Sequence, residues 1–258
     1  MTDSSLGVVI PAYEPSVDRL ASYVDRINQQ LTPETILIEL DAPSAQTVTA
    51  LRELPVQVNA VPYRRGKGAA ITAGFERLNA DIYLFADADG ATPVDSLESI
   101  YDPVRTERAA LAVGSRRHPD ASVDQNQTAV REFLGDCFSG LASSLLPVRL
   151  HDYQCGAKAI DAAAWNCIKD DLYEPGFAWD VELIAMAGAH DLTVTEVPVE
   201  WEDRPGSTVD PVEDSLRMFR ALLTSRHRAK QLDNDRLHAA VAARRPQPTP
   251  LVDRGQEL

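Results

Sequence analysis

The chain has 258 residues, 44% of them hydrophobic, enough for one large α/β domain with at most a C-terminal appendage. Its formal net charge is −14 at pH 7, with acids along the whole length, which excludes general nucleic-acid binding. The only lysines are Lys67, Lys158, Lys169 and Lys230; arginine far outnumbers them, and an acid-rich, lysine-poor surface fits a high-salt cytosol where counterions screen self-repulsion. No apolar run approaches the roughly 20 residues that span a bilayer, and no basic-then-apolar leader is expected. Cys137, Cys155 and Cys167 lack metal-type spacing, which fits reduced thiols.

In chain order, "LGVVIPAY" is an apolar strand, residues 16–31 carry helical periodicity and "TILIEL" is a second strand. Residues 44–53 read as a helix, "VQVNAV" as a third strand, 67–78 as a helix and "DIYLFA" as a fourth strand. A helix over 94–107 and the strand "AALAVGS" complete an alternation that predicts βαβ units and a mainly parallel sheet. Beyond residue 115 come a helix over 127–147, a loop "RLHDYQCGAKAI", and short helices near 161–168 and 180–189. "TVTEVPVEW" reads as paired strands or one bent strand, 211–243 as helical, and the Pro-rich end as disordered.

Ligands of open α/β sheets bind outside the carboxyl ends of the strands. Tyr13, Asp41, the segment Tyr63 to Lys67, Asp87, Asp89 and Arg116 fall there. In "FADADGATP" two carboxylates, Asp87 and Asp89, follow a buried strand; they repel unless a cation or basic group joins them. "RRGKGAA" is a Gly-rich turn opening a helix, where amides and Lys67 can face an anion; it has neither P-loop nor Rossmann spacing.

Eight pieces occur in order: "VVIPAY", "LIELDAPS", "RRGKGAAITAGF", "FADADGATP", "VGSRR", "DYQCGAKAI", "FAWDVELI" and "EVPVEWEDRPGST". Together they resemble the family 2 glycosyltransferases of GT-A fold, and within them the dolichyl- or polyprenyl-phosphate hexose synthases. The resemblance covers roughly residues 5–230 and implies an α/β GT-A fold with a C-terminal helical extension. It implies an inverting hexosyltransferase that moves a hexose from a UDP- or GDP-hexose, with UDP-glucose first, to dolichyl or polyprenyl phosphate for glycan assembly such as protein N-glycosylation.

By that resemblance Pro11, Tyr13, Glu14 and Asp41 line the base and ribose pocket, and Lys67 lies near the sugar nucleotide. Asp87, Ala88 and Asp89 form a D-x-D motif holding Mg²⁺ or Mn²⁺ on the diphosphate. Arg116, Arg131, Gln154, Arg204 and Ser207 face the acceptor phosphate, and Asp180, with Arg204, serves the chemistry as an orienting or weakly basic carboxylate. Three positions depart from the family pattern: Glu14-Pro15 replaces the usual Asn-Glu, Ala42 replaces a second acid, and Ala91 replaces a Gln.

The division expected is 1–203 for the transferase domain, 204–243 for acceptor- and membrane-facing helices, and 244–258 for a disordered tail. The segment "VEDSLRMFRALLTSRHRAK" mixes apolar residues with Arg217, Arg220, Arg226, Arg228 and Lys230 and suits anionic lipid headgroups. The helix with Phe133, Phe138, Leu141, Leu145 and Leu146 is expected to dip in beside it. The location expected is cytoplasmic, peripheral at the inner face of the cell membrane. Two alternatives stand: a soluble family 2 enzyme with a small phosphorylated acceptor, and a non-catalytic GT-A relative.

Overall fold

The computed structural model describes residues 4–124, 129–202, 211–232, 235, 238 and 248–254, the side chains of 124, 129–134 and 211–216 excepted. Its first half is the alternation the sequence predicts: β1 (Leu6–Tyr13), α1 (Val17–Leu31), β2 (Thr35–Asp41), α2 (Ala45–Leu51), β3 (Gln57–Val61), α3 (Lys67–Arg77), β4 (Ile82–Ala86), α4 (Val94–Arg105) and β5 (Leu111–Ser115). β1 and β4 are apolar at consecutive positions because helices cover both faces of the sheet. Successive side chains therefore enter different cores: Val9 and Phe85 pack with α3, α6 and α7, whereas Val8, Ile10 and Leu84 pack with α1 and α4. Helix α1 buries Leu20, Tyr23, Val24, Ile27 and Leu31, a stripe at three- and four-residue spacing.

Then follow β6 (Ser122–Asp124), α5 (Ala129–Leu145), β7 (Ala157–Asp161), α6 (Ala162–Ile168), a 3₁₀ turn (Lys169–Asp171), α7 (Trp179–Ala189), β8 (Val194–Pro198), β9 (Glu200–Glu202), α8 (Pro211–Leu232) and a short α9 (Leu251–Arg254). The main sheet runs β3-β2-β1-β4-β7-β5-β8, and β6 pairs with β9 alongside. "TVTEVPVEW" is one bent stretch shared between the two sheets, parting at Val199.

Two expectations are corrected. The stretch 157–161, read as loop, is an antiparallel strand wedged between β4 and β5. Burial decides this: the short run Ala-Lys-Ala-Ile has no helical or alternating signature, but it fills the gap between two parallel strands. The end of the chain is not disordered throughout, since residues 248–254 are placed. Leu251 is buried in the core, its N–H donates to Leu172 O (2.8 Å), and Arg254 Nη2 donates to Tyr173 O (3.1 Å).

Helices α5 and α8 pack on α7's side of the sheet. Phe138, Leu141 and Leu145 lean on that core and Leu146 is buried in it, so α5 spends this apolar face inside the protein; the side chain of Phe133 lies outside the described residues. Among the described residues no helix is long and apolar enough to cross a membrane.

Candidate active site

The site lies where β1, β2 and β4 end and α3 and α7 begin. Asp87 follows β4, Lys67 opens α3, and Asp180 stands in the first turn of α7. The Lys67 ammonium bridges them, with Nζ 2.9 Å from Asp87 Oδ1 and 3.1 Å from Asp180 Oδ2. Lys158, on β7, donates to the other Asp180 oxygen and to Cys155 O. A relay Asp87–Lys67–Asp180–Lys158 thus runs from the rim into the core. Burial alone would lower Lys67, but Asp180 and Asp87 together hold its ammonium well above the ordinary lysine value. Asp87 is raised: burial and the charges of Asp89 and Asp180 push up more than Lys67 pulls down.

Two glycines make this approach possible. A Cβ on Gly156, just before β7, would fall 1.9 Å from Asp87 Oδ2. Gly66 has φ +98°, and a Cβ there would meet Pro175 O at 2.5 Å, so the Gly-rich turn can seat against the 172–176 loop only without a side chain. The Pro175 carbonyl accepts from Ala69 N–H (3.1 Å), tying the head of α3 to that loop.

Asp41, expected in the base pocket, is spent on the turn: it accepts from the N–H groups of Arg65 (2.7 Å) and Gly66 (2.9 Å) and from Arg65 Nε (2.8 Å). Arg65 also pairs with the fully buried Glu39, and its Nη2 is buried without a hydrogen-bond partner. Tyr13 is exposed at the end of β1, with the Arg64 guanidinium 4.1 Å above its ring. Pro11 is partly buried within β1. Two of the departing positions, Glu14 and Ala42, directly follow β1 and β2 with φ of 48° and 46°. There Asn or Asp is the comfortable residue, so the chain bears backbone strain beside the site. Asp89 accepts from Ala91 N–H through Oδ1, closing the turn that also carries Ala88.

The acceptor-side residues divide. Arg116 is gripped by Asp152, Nε to Oδ2 at 2.7 Å and Nη2 to Oδ1 at 3.1 Å, so two of its donors are committed inside the protein. Asp152 also accepts from Gln154 N–H (2.9 Å) and thereby shapes the Gln154-Cys155-Gly156 turn. Cys155 is buried, and burial pushes its thiol up to about 11, consistent with packing. Arg117 pairs with Asp136. Arg204, Ser207 and the side chain of Arg131 lie outside the described residues.

Sequence reading missed Asp152, Glu182 and the linking role of Lys158. Glu182 is fully buried; it accepts from Tyr173 N–H (2.8 Å) and Glu174 N–H (2.7 Å) and pairs with Arg228 of α8. The side chain of Arg228 is therefore turned inward, correcting its assignment to a lipid-facing cluster. No local pattern marks these pairs, because their partners are far apart in sequence.

Asp152 carries a prediction. Desolvation opposes its charge, but Arg116 and the backbone donors overcome it and hold the carboxyl down at about 2. A lowered acid stabilises the fold above its unfolded pKa, and that contribution is lost as pH falls through the folded value; here the window runs from about 4 down to about 2. Asp152→Asn, which leaves Arg116 unpaired, is expected to cost about 3 kcal/mol. It should also flatten the acid limb of stability, measured by denaturant unfolding across that range.

Comparison with known proteins places this geometry. The family model "Glycosyl transferase family 2" matches residues 7–168. The dolichyl-phosphate beta-glucosyltransferase ALG5C of Trichomonas vaginalis is 30% identical over 212 residues, covering 76% of this chain and 63% of that relative. Glycosyltransferase AglD of Haloferax volcanii is 33% identical over 160 residues, 62% of this chain and 25% of the relative. The chain thus spans less than two thirds of the length of either. Among solved structures, glucosyl-3-phosphoglycerate synthase of Mycobacterium tuberculosis superposes with a TM-score of 0.66 at 17% identity, over 86% of this chain and 80% of that one. Since the family model covers well over half of its residues, the protein belongs to glycosyl transferase family 2 and has the GT-A fold.

Proposed function

We propose that the protein transfers a hexose, with inversion, from a nucleotide sugar to a polyprenyl phosphate of the dolichyl type, with UDP-glucose as the first donor. The observation that carries this reading is the Lys67 ammonium fixed between Asp87 and Asp180 at the carboxyl end of β4, where open α/β sheets bind ligands. The named function of the aligned Trichomonas relative agrees with it.

The acceptor is a phosphate monoester, anionic at neutral pH, so its oxygen attacks the anomeric carbon without a strong base. The bond that breaks joins that carbon to the nucleotide diphosphate. Asp180 suits this, because both its oxygens are engaged by lysines and it orients them. Lys67 faces the departing diphosphate, and Arg65 Nη2 offers a buried donor beside Asp41. Tyr13 offers its exposed ring to the base. Gln154, Arg204 and Ser207 are proposed to meet the acceptor phosphate, with Arg131 beside them.

Asp87 and Asp89 fit a hard divalent cation, Mg²⁺ or Mn²⁺. Lys67 pairs with Asp87 and, together with Lys158, with Asp180, whereas Asp89 accepts only a backbone N–H, that of Ala91, among the described residues, so its charge remains for a cation. When bound, such a cation neutralises charge building on the departing diphosphate.

Contact with a membrane is proposed through α8. Phe219 and Leu223, 40% and 44% exposed, stand on its outer face beside Arg220, while Met218 and Leu222 turn inward. This reading places the protein at the cytoplasmic face of the membrane.

The test is an assay in high salt with Mg²⁺, dolichyl phosphate and a panel of labelled nucleotide sugars. Label is expected to enter the organic phase from one donor and to be lost in Asp89→Ala. Label transferred only to a water-soluble phosphorylated acceptor would favour the second reading. That reading draws on the fold neighbour whose name specifies glucosyl-3-phosphoglycerate. Binding of nucleotide sugar with no transfer to any acceptor would favour a non-catalytic relative, as the changes at Glu14-Pro15, Ala42 and Ala91 allow.

A further inference from the structure

Outside the Lys67–Asp87–Asp180 cluster, a cysteine, a histidine and an aspartate converge. Cys167 lies near the end of α6, Asp171 closes the 3₁₀ turn that follows, and His190 caps the C-terminus of α7, which packs against α6. His190 Nε2 is 2.8 Å from Asp171 Oδ2, and His190 Nδ1 is 3.5 Å from Cys167 Sγ. A carboxylate only accepts, so Nε2 carries the ring proton; Nδ1 is left with its lone pair facing the thiol. This is the order of an activated nucleophile: thiol, base, and a carboxylate that orients the base.

The other two cysteines are internal controls. Cys155 is fully buried, which disfavours its thiolate. Cys137 is exposed on α5, and no basic side chain is paired with it among the described residues. Among the described residues, Cys167 is the cysteine that combines exposure with a base in place.

We propose that Cys167 is a modification site, a nucleophilic thiol that exchanges with low-molecular-weight disulfides. The Sγ proton moves to His190 Nδ1, giving an imidazolium held by Asp171. The Cys167 sulfur attacks one sulfur of the disulfide, a new S–S bond forms, and the original S–S bond breaks. The other half leaves as a thiolate, which His190 reprotonates. Cysteine is oxidised to the mixed disulfide and half of the incoming disulfide is reduced to a thiol, so no further oxidant is needed. A disulfide suits this exposed position because the reaction uses one attacking sulfur and one proton donor and needs no enclosed pocket. The proposal is independent of the sugar-transfer reading.

The experiment is timed labelling of the intact, folded protein with dithiodipyridine at neutral pH, the modified cysteine being assigned by peptide mass spectrometry. Cys167 is expected to react about tenfold faster than Cys137, because His190 Nδ1 stands in place to take the thiol proton as the sulfur attacks. His190→Gln should bring it down to the rate of Cys137, and Asp171→Asn should slow it part of the way. Should His190→Gln lower the melting temperature, Asp171→Asn, which preserves side-chain shape, decides by the same comparison. A Cys167 no faster than Cys137, or one whose rate is unchanged in the folded variants, overturns the proposal.

Discussion

Replacing Lys67 by alanine is expected to lower kcat/KM for sugar transfer by about a thousandfold, the upper range for loss of one preorganised electrostatic group. Lys67 is the common partner of Asp87 and Asp180, at 2.9 and 3.1 Å. Without it, two carboxylates at the end of β4 and the start of α7 face each other with no cation between them. Stability should fall as well, by about 3 kcal/mol, since breaking a buried pair leaves charge uncompensated. Lys67→Arg separates the two effects. Its charge should recover most of the stability, but its larger, delocalised fork spreads that charge over three nitrogens in place of the single compact ammonium between Asp87 and Asp180, so activity should stay low. Thermal unfolding and steady-state kinetics on the same preparations provide the check. A Lys67→Ala protein that transfers sugar at the normal rate would remove this residue from the chemistry.

Gly156→Ala is expected to be the next most damaging to activity, although it adds a single methyl group. That methyl would lie 1.9 Å from Asp87 Oδ2 and 2.4 Å from Asp87 Cγ. The backbone cannot yield easily, because Asp87 N–H donates to Gly156 O (2.9 Å) and Ala86 pairs with Ala157 in the β4–β7 ladder. The carboxylate must therefore swing away, off Lys67. Overpacking of this kind costs about 1–3 kcal/mol. The expected signature is a loss of activity of about a hundredfold, as for one displaced preorganised group, with a raised requirement for divalent cation. An unchanged cation requirement would separate Asp87 from metal binding.

Both residues show how much of the site was legible in advance. Asp87, Asp89 and the Gly-Lys turn stand out because each follows an apolar strand or opens a helix, and strand ends are where a parallel sheet offers backbone and side chains to a ligand. Gly156 carries no such mark: it belongs to a loop-like run whose reason for a glycine is a carboxylate sixty-nine positions away. Arg116 shows the converse. Its guanidinium fork suggests a phosphate, yet Asp152, remote in sequence, already fills two of its donors.

The order of strands and helices, the mainly parallel sheet and the side of it that carries the acids are properties of the sequence by itself. They follow from apolar runs and periodicities a few residues long, which act locally. Tertiary structure alone decided the antiparallel insertion of β7, the burial of Leu251, the inward turn of Arg228 onto Glu182 and the relay through Lys158. In each, a short segment or single side chain with weak preference of its own is held by partners distant in the chain, and burying a charge or an unpaired backbone group makes that one arrangement necessary.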